Sequence, residues 1–343
     1  MTMQVRSIGL DEDARWDEFV MSCQESTFFH LAGWRTVLEE SFGHRCHFLV
    51  AEENDEIQGV LPLAQVKSFF FGNSLSSLPF CVYGGILALS EEAREALRKA
   101  ACTLAETLNV DALQLRNSHA SGSDWPSSDL YYTFRKEIVA DNEVNLKAIP
   151  NRQRAMVRKG IKYGLVSEES DSSERIYRVY SESVRNLGTP VFSKKYFDVL
   201  QKVFGKDCRI LMIRDGDEDV AGVMSFYFKG EVLPYYGGGI ARARSIPGCN
   251  HFMYWELMRR SADEGITGFD FGRSKAGTGP YSFKKNWGFT PQPLAYEYYL
   301  VRSNEIPNVN PTNPKYRMLI EIWSRLPLPV ANFIGPMLAK DLG

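Results

Sequence analysis

A chain of 343 residues, 44% hydrophobic and 13% aromatic, holds enough apolar material for two domains of ordinary size. Its formal net charge of −2 excludes a whole-molecule field that would recruit nucleic acid or an anionic membrane, so any polyanion has to be met by a local patch.

Near the start, His30 and Trp34 lie four apart, on one face if that segment is helical. His44, Cys46 and His47 follow on an apparent strand where 44 and 46 share a face and 47 does not, which makes core or edge histidines a better reading than a metal set. Strands are expected at 48–52 and 57–66, around a turn at 54–56. Then come Pro79-Phe80-Cys81-Val82-Tyr83-Gly84-Gly85, a helix over 91–108 and a strand over 112–118. Residues 118–129 are rich in Ser, Gly, Asp and Pro, and 131–139 reads as the last strand of a first domain.

The next stretch carries Arg152, Arg154, Arg158, Lys159 and Lys162 with no acid between 151 and 167. On a helix, residues 154, 158 and 162 stack in one cationic stripe, suited to a pyrophosphate or the end of an RNA; a solvated face is the other reading. The earlier order then returns. Strands at 210–214 and 220–228 precede Pro234-Tyr235-Tyr236-Gly237-Gly238, a helix over 250–264 and a strand over 268–271. Leu113-Gln-Leu-Arg-Asn-Ser118 and Phe269-Asp-Phe-Gly-Arg-Ser274 fall at equivalent places. Meandering strands, a helix and a further strand, given twice, imply an α+β fold in two tandem units with mixed, mostly antiparallel sheets. The expected divisions are 1–145, 146–305 and a proline-rich tail over 306–343, with a short helix at 315–325.

Residues 269–289 are the most informative segment. A short apolar–acidic–apolar strand leads into a turn with Gly272, Gly277 and Gly279, carries Arg273 and Lys275, and closes with Phe283, Lys284, Lys285 and Trp287. Cations and aromatics on a glycine-shaped loop suit an anion or a developing oxyanion, although a tight loop with solvated lysines has the same composition.

The close Phe283-Lys284-x-x-Trp287-Gly288-Phe289, preceded by Phe269-Asp-Phe-Gly-Arg-Ser274, resembles the FemAB-like transferases, and more narrowly their branch associated with exosortase/PEP-CTERM exopolysaccharide systems. The resemblance extends to Phe29-His30-x-x-x-Trp34, Pro79-Phe80-x-x-Tyr83-Gly84-Gly85, Ile149-Pro150-x-x-x-Arg154-x-x-x-Arg158-Lys159-Gly160, Leu187-Gly-Thr-Pro190 and Pro234-Tyr-Tyr-Gly-Gly238, covering residues 15–340. It implies two tandem acetyltransferase-like (GNAT-like) domains that move an aminoacyl or acyl group to an amine of a cell-envelope or exopolysaccharide precursor. It places a lysine at Lys284 beside the transferred acyl group, and Arg154 and Arg158 in an acceptor site that often holds a sugar nucleotide. Lys284 and Asp270 are therefore the candidate catalytic residues; for Asp270 the alternatives are a base, an orienter of Arg273 or a structural ion pair. Arg273, Ser274, Lys275, Thr278, Tyr281, Phe283, Arg154, Arg158, Tyr235, Tyr236 and Trp34 are the candidate substrate contacts, with core packing the other reading of the tyrosines.

No metal or bound cofactor is expected; the donor is aminoacyl-tRNA or acyl-CoA. The usual acetyltransferase pyrophosphate signature should precede the second helix, but Arg244-Ser-Ile-Pro-Gly248-Cys-Asn is one residue out of register and lacks the second glycine. A catalytically silent binding module of a polysaccharide assembly system is the reading from another class. The expected partners are a sugar-nucleotide or lipid-linked glycan precursor and aminoacyl-tRNA, not DNA.

Six cysteines without a Cys-x-x-Cys pair point to a reducing compartment. With neither an apolar signal core nor a run of about 18 apolar residues, the expected location is cytoplasmic. The apolar tail is expected to pack on the domains, or to touch the inner membrane peripherally.

Overall fold

The computed structural model describes residues 3–68, 71–306 and 320–342. Its described residues form two compact units, one made of 3–130, 293–306 and 340–342 and the other of 131–292 and 320–339.

The first unit's sheet runs, edge to edge, Gln4–Ser7, Arg45–Glu53, Glu56–Ser68, Gly72–Ser76, Ala112–Asn117, Ala295–Leu300 and Ser127–Ser128. Neighbours are antiparallel except Gly72–Ser76 and Ala112–Asn117, which run parallel. Val60, Leu61, Leu63 and Ala64 are all buried, as a strand covered on both faces requires. Between the first two strands lie helices Asp13–Ser22 and Gly33–Phe42. Helix Glu91–Thr107 starts at Ser90, whose hydroxyl accepts from the Ala93 N–H, and buries Ala93, Leu97, Ala101 and Ala105 at fourfold spacing.

The second unit repeats this strand for strand. Its order is Val166–Ser170, Cys208–Asp215, Glu218–Phe228, Glu231–Gly239, Gly268–Asp270, Tyr131–Glu137 and Ser274–Lys275. The single parallel pair among these again falls between the fourth and fifth strands. Helices Ser173–Asn186 and Lys194–Phe204 again separate the first two strands, and Cys249–Asp263 again precedes the fifth. The duplication therefore begins one strand and two helices earlier in each copy than the sequence repeat reveals.

The expected boundary is corrected by a strand exchange. Tyr131–Glu137, read from sequence as the first domain's last strand, pairs in the second sheet with Gly268–Asp270. Ala295–Leu300, which follows the second unit's strands, pairs in the first sheet with Ala112–Asn117. A period-2 pattern shows that a strand exists but not which edge it joins. Helices Asn142–Ala148 and Asn151–Tyr163 are additions without counterpart among the described residues of the first unit. Of the helix expected at 315–325, residues 320–324 are helical and 315–319 lie outside the described residues.

Candidate active site

The second unit's parallel ladder is short. Glu231 and Val232 face Gly268 and Phe269, and the pairing ends there. Phe269, Asp270 and Phe271 are all buried, so the strand is covered on both sides and Asp270 lies inside the protein. Its Oδ1 accepts from the Gly272 N–H at 2.7 Å and from the Thr133 hydroxyl at 3.3 Å. The Arg135 Nε lies 3.6 Å from Oδ2. Among the sequence alternatives, the geometry of Asp270 is that of a structural ion pair that also shapes the next turn. Gly272 sits in the left-handed region at φ +64, a conformation that costs glycine nothing.

The segment expected to be a loop continues as a helix, Gly279–Asn286. Thr278 caps it by accepting from the Tyr281 N–H, and Pro280 sits in the first turn, where a missing N–H does no harm. That helix carries Lys284 back over the turn. The ammonium donates to the carbonyls of Phe271, Gly272 and Arg273 at 2.6, 3.0 and 3.0 Å. Three successive carbonyls meet three N–H donors, an arrangement that matches the charged form. Burial pushes the Lys284 pKa down to about 7, against the pull of Asp270 and with a further push from Arg273. The site thus holds an ammonium in a setting that makes its proton labile near neutrality.

The other predicted residues of 273–283 surround this turn. The Arg273 guanidinium lies 4.8 Å from the centre of the Tyr131 ring. Ser274 buries its hydroxyl without a hydrogen-bond partner among the described residues. Burial lowers the Lys275 pKa, and the Lys275 carbonyl accepts from the Thr278 hydroxyl at 2.7 Å. The Tyr281 ring rests on Tyr132 and Phe134, with centroids at 5.5 and 5.3 Å. Phe283 lies 5.1 Å from His251 and 5.6 Å from Tyr254.

Sequence reasoning missed the residues that other elements bring here. Thr133 and Arg135 arrive on the exchanged strand, which had been given to the other domain. His251 and Tyr254 lie three apart on the predicted 250–264 helix, so their common face was available as a signal. Burial lowers the pKa of His251 and pushes that of Tyr254 up to about 12.

Three expected contacts are corrected. Trp34 is fully buried in the first unit, with Nε1 donating to the Phe28 carbonyl at 3.1 Å and its ring against Phe28 and Phe29. Tyr236 is a core residue whose hydroxyl is 2.7 Å from that of Tyr196, within a cluster with Tyr180, Phe192 and Phe197. Tyr235 is the extra residue of a β-bulge: Tyr236 faces Met224 and Pro234 faces Ser225. Its ring packs tilted against Phe226 and edge-on against Tyr236 rather than standing free. The following glycines serve packing, since a Cβ on Gly238 would come within 2.6 Å of Ser183 and one on Gly239 within 2.9 Å of Ala243.

The cationic stretch is helical, as the stripe expects, but its members differ. Arg154 donates to the Lys147 carbonyl at 3.1 Å and to the Asn151 side chain. Arg158, Lys159 and Lys162 are exposed. Gly160 lets this helix meet Cys249–Asp263 at close range: a Cβ there would come within 2.7 Å of Phe252, and one on Gly248 within 2.1 Å of the Met156 carbonyl oxygen. Among the described residues no cluster of three His, Cys, Asp or Glu side chains has the geometry to hold a metal.

Two tandem units with this strand order, helices and a short parallel pair have the GNAT architecture, and residues 148–285 match the family model described as "Acetyltransferase (GNAT) domain". No curated protein matches the chain. Among solved structures, that of FemX is similar over 88% of this chain and 98% of its own, with a TM-score of 0.67 and 15% identity. A tandem GNAT protein from the clavulanic acid biosynthesis pathway matches over 89% and 100%, at 0.55 and 11%. L-PGS from Bacillus licheniformis matches over 85% and 96%, at 0.54 and 14%. These likenesses establish the fold, and the domain match supports a transferase.

Proposed function

We propose that the chain is an acyltransferase of the FemAB type, which moves an aminoacyl group from an activated ester to an amine of a cell-envelope or exopolysaccharide precursor. The observation that carries this reading is Lys284, whose ammonium closes the turn after the fifth strand with its pKa lowered to about 7 by burial. In the reaction the acceptor amine attacks the ester carbonyl, forming the C–N bond. The tetrahedral oxyanion collapses with loss of the ribose hydroxyl, which takes the proton the amine gives up. The ester is already activated, so the protein has to position the amine and stabilise the oxyanion. Lys284 supplies the positive charge by exchanging one carbonyl contact for the developing oxyanion. Asp270 holds the turn through the Gly272 N–H.

The second unit's helix Cys249–Asp263 supports an aminoacyl ester over acyl-CoA. A helix N-terminus binds pyrophosphate through free N–H groups and open backbone. Here that end lies against helix Asn151–Tyr163, with Gly248 in contact with the Met156 carbonyl. The exposed cations of that helix offer an electrostatic landing for an anionic acceptor or donor.

Donor profiling tests the proposal. Purified protein with an amine acceptor is incubated with aminoacyl-tRNA, with acetyl-CoA and with neither. Transfer from aminoacyl-tRNA alone is the expected result. Transfer from acetyl-CoA would replace it with the acyl-CoA reading, and transfer from neither would leave a binding module.

A further inference from the structure

Helix Leu328–Ala339, in the second unit, contains no charged residue. Its small residues face the protein. Ala331 and Ala339 are buried, and a Cβ on Gly335 would come within 3.0 Å of the Val191 carbonyl oxygen. Asn332 lies 3.4 Å from the Ser181 hydroxyl on the same side. The opposite side shows Val330, Phe333, Ile334 and Met337 at 40, 78, 37 and 62% exposure. Their spacing of i, i+3, i+4 and i+7 makes one stripe along the helix. Two further exposed apolar residues, Leu187 and Ile322, flank the place where Gly188 meets Ile320.

A fold that buries its alanines and presents its phenylalanine and methionine is using the helix in reverse of the usual surface pattern. The occupant follows from area and charge. A stable dimer needs about 800 Å² from each partner, and one stripe of four side chains offers roughly half of that. A lipid surface asks only that apolar side chains enter the headgroup boundary and that no acid opposes them. From 322 to 340 there is no Asp or Glu, and Arg325 and Lys340 are the charged residues.

We propose that this helix docks the protein on an anionic bilayer surface, lying flat with Val330, Phe333, Ile334 and Met337 in the headgroup–acyl boundary and Arg325 at the level of the phosphates. No helix among the described residues is long and apolar enough to cross a membrane, so the contact is peripheral. This inference does not rest on the transferase reading, and its test uses no donor or acceptor.

The full chain is sedimented with sucrose-loaded vesicles of phosphatidylcholine alone and of phosphatidylcholine with phosphatidylglycerol. It is compared with Phe333→Ser/Met337→Ser and with Leu89→Ser, which removes an equally exposed leucine from the first unit. The expected result is binding to phosphatidylglycerol vesicles, weakened at least tenfold in the double variant and unchanged in Leu89→Ser. Thermal melting verifies that the variants fold. Wild-type protein left in the supernatant, or a double variant that pellets as well as wild type, would overturn the proposal. A dimer in sedimentation velocity that the double variant dissociates would also overturn it, by making a second copy the occupant.

Discussion

In the first unit the fourth strand leaves its neighbour after Ser76 and pairs again only at Leu87, whereas in the second unit the same strand is broken by the single residue Tyr235. The first unit's excursion is filled with protein: Leu78, Phe80, Cys81, Val82 and Tyr83 are all buried there. Each unit also holds a cation over backbone carbonyls. Arg116, buried on the fifth strand, donates to Leu78 and Cys81 at 3.1 and 2.7 Å. Lys284 does the corresponding work at the second unit's turn, but on Phe271, Gly272 and Arg273. Arginine keeps its charge wherever it is placed, and lysine gives up its proton readily when buried. The duplicated frame thus carries a fixed staple in one copy and a titratable cation in the other, the contrast on which the proposed function rests.

The largest expected effect breaks the staple. Arg116→Met removes the guanidinium bonds to the Leu78 and Cys81 carbonyls, of which Leu78 keeps the Cys81 N–H at 3.3 Å. A hydrogen bond from a charged donor contributes about 1.5–3 kcal/mol, so losing two is expected to lower stability by roughly 3–5 kcal/mol in chemical denaturation. Transfer per folded molecule should remain at the wild-type rate, because nothing in the second unit's turn changes.

Lys284→Met should give the opposite profile. Loss of a charge aimed at an oxyanion costs about 10²–10³ in kcat. The sequence alone leads one to expect a residue without influence on stability. The three carbonyl contacts add a structural role, so at a pH high enough to remove the cost of burying the charge a drop of about 1–3 kcal/mol should accompany the loss of rate. Lys284→Arg, which keeps the charge, should restore more stability than rate, because a planar fork cannot place one donor on each of three successive carbonyls. Wild-type transfer by Lys284→Met would move the chemistry away from this turn.

Titration sharpens the same contrast. Lys284 has a folded pKa of about 7 against the ordinary lysine value of 10.5. Between those values the unfolded chain binds the extra proton, so the Lys284 contribution makes stability rise with pH over that window. The penalty is fully present below pH 7. Urea denaturation of wild type and Lys284→Met across pH 6–10 should show the slope in wild type and a flatter profile in the variant. If the ammonium is the reactive form, kcat/KM should also fall as pH rises through about 7, with that limb absent from Lys284→Arg.

The frame was legible and the exchange was not. The strands expected at 48–52, 57–66, 210–214 and 220–228 and the helix expected over 91–108 all exist, and the helix is capped by Ser90. Strand Tyr131–Glu137 was seen, but its partner Gly268–Asp270 is far off in the chain, and nothing local in Tyr-Tyr-Thr-Phe-Arg-Lys-Glu specifies an edge. That hid Thr133 and Arg135 from the site. Helix Gly279–Asn286 was missed although Thr278 and Pro280 are a start signal, because three glycines in eight residues read as a loop. Trp34 and Tyr236 were placed in the site by motif, yet buried aromatic rings and binding aromatic rings have the same letters.

The smallest expected effect concerns helix Asn151–Tyr163, which has no counterpart among the described residues of the first unit. Two arginines one turn apart have separate jobs. Arg154 is tied to the Lys147 carbonyl and the Asn151 side chain, so it closes the junction between this helix and Asn142–Ala148. Arg158 is exposed, on a face with Lys159 and Lys162. Arg154→Gln should therefore lower the melting temperature slightly and leave the salt dependence of binding alone. Arg158→Gln should leave melting unchanged and weaken an anionic substrate by about 1 kcal/mol, roughly fivefold in KM, because a solvent-facing charge interacts through a high dielectric. That loss should shrink as added salt shortens the screening length toward a few ångströms. The ratio of KM values between variant and wild type, measured from 0.05 to about 0.5 M salt, is the readout. A ratio that stays near one at every salt concentration would make Arg158 a solvated surface residue, and the additional helix would then matter to the second unit only through Gly160 and its contact with Cys249–Asp263.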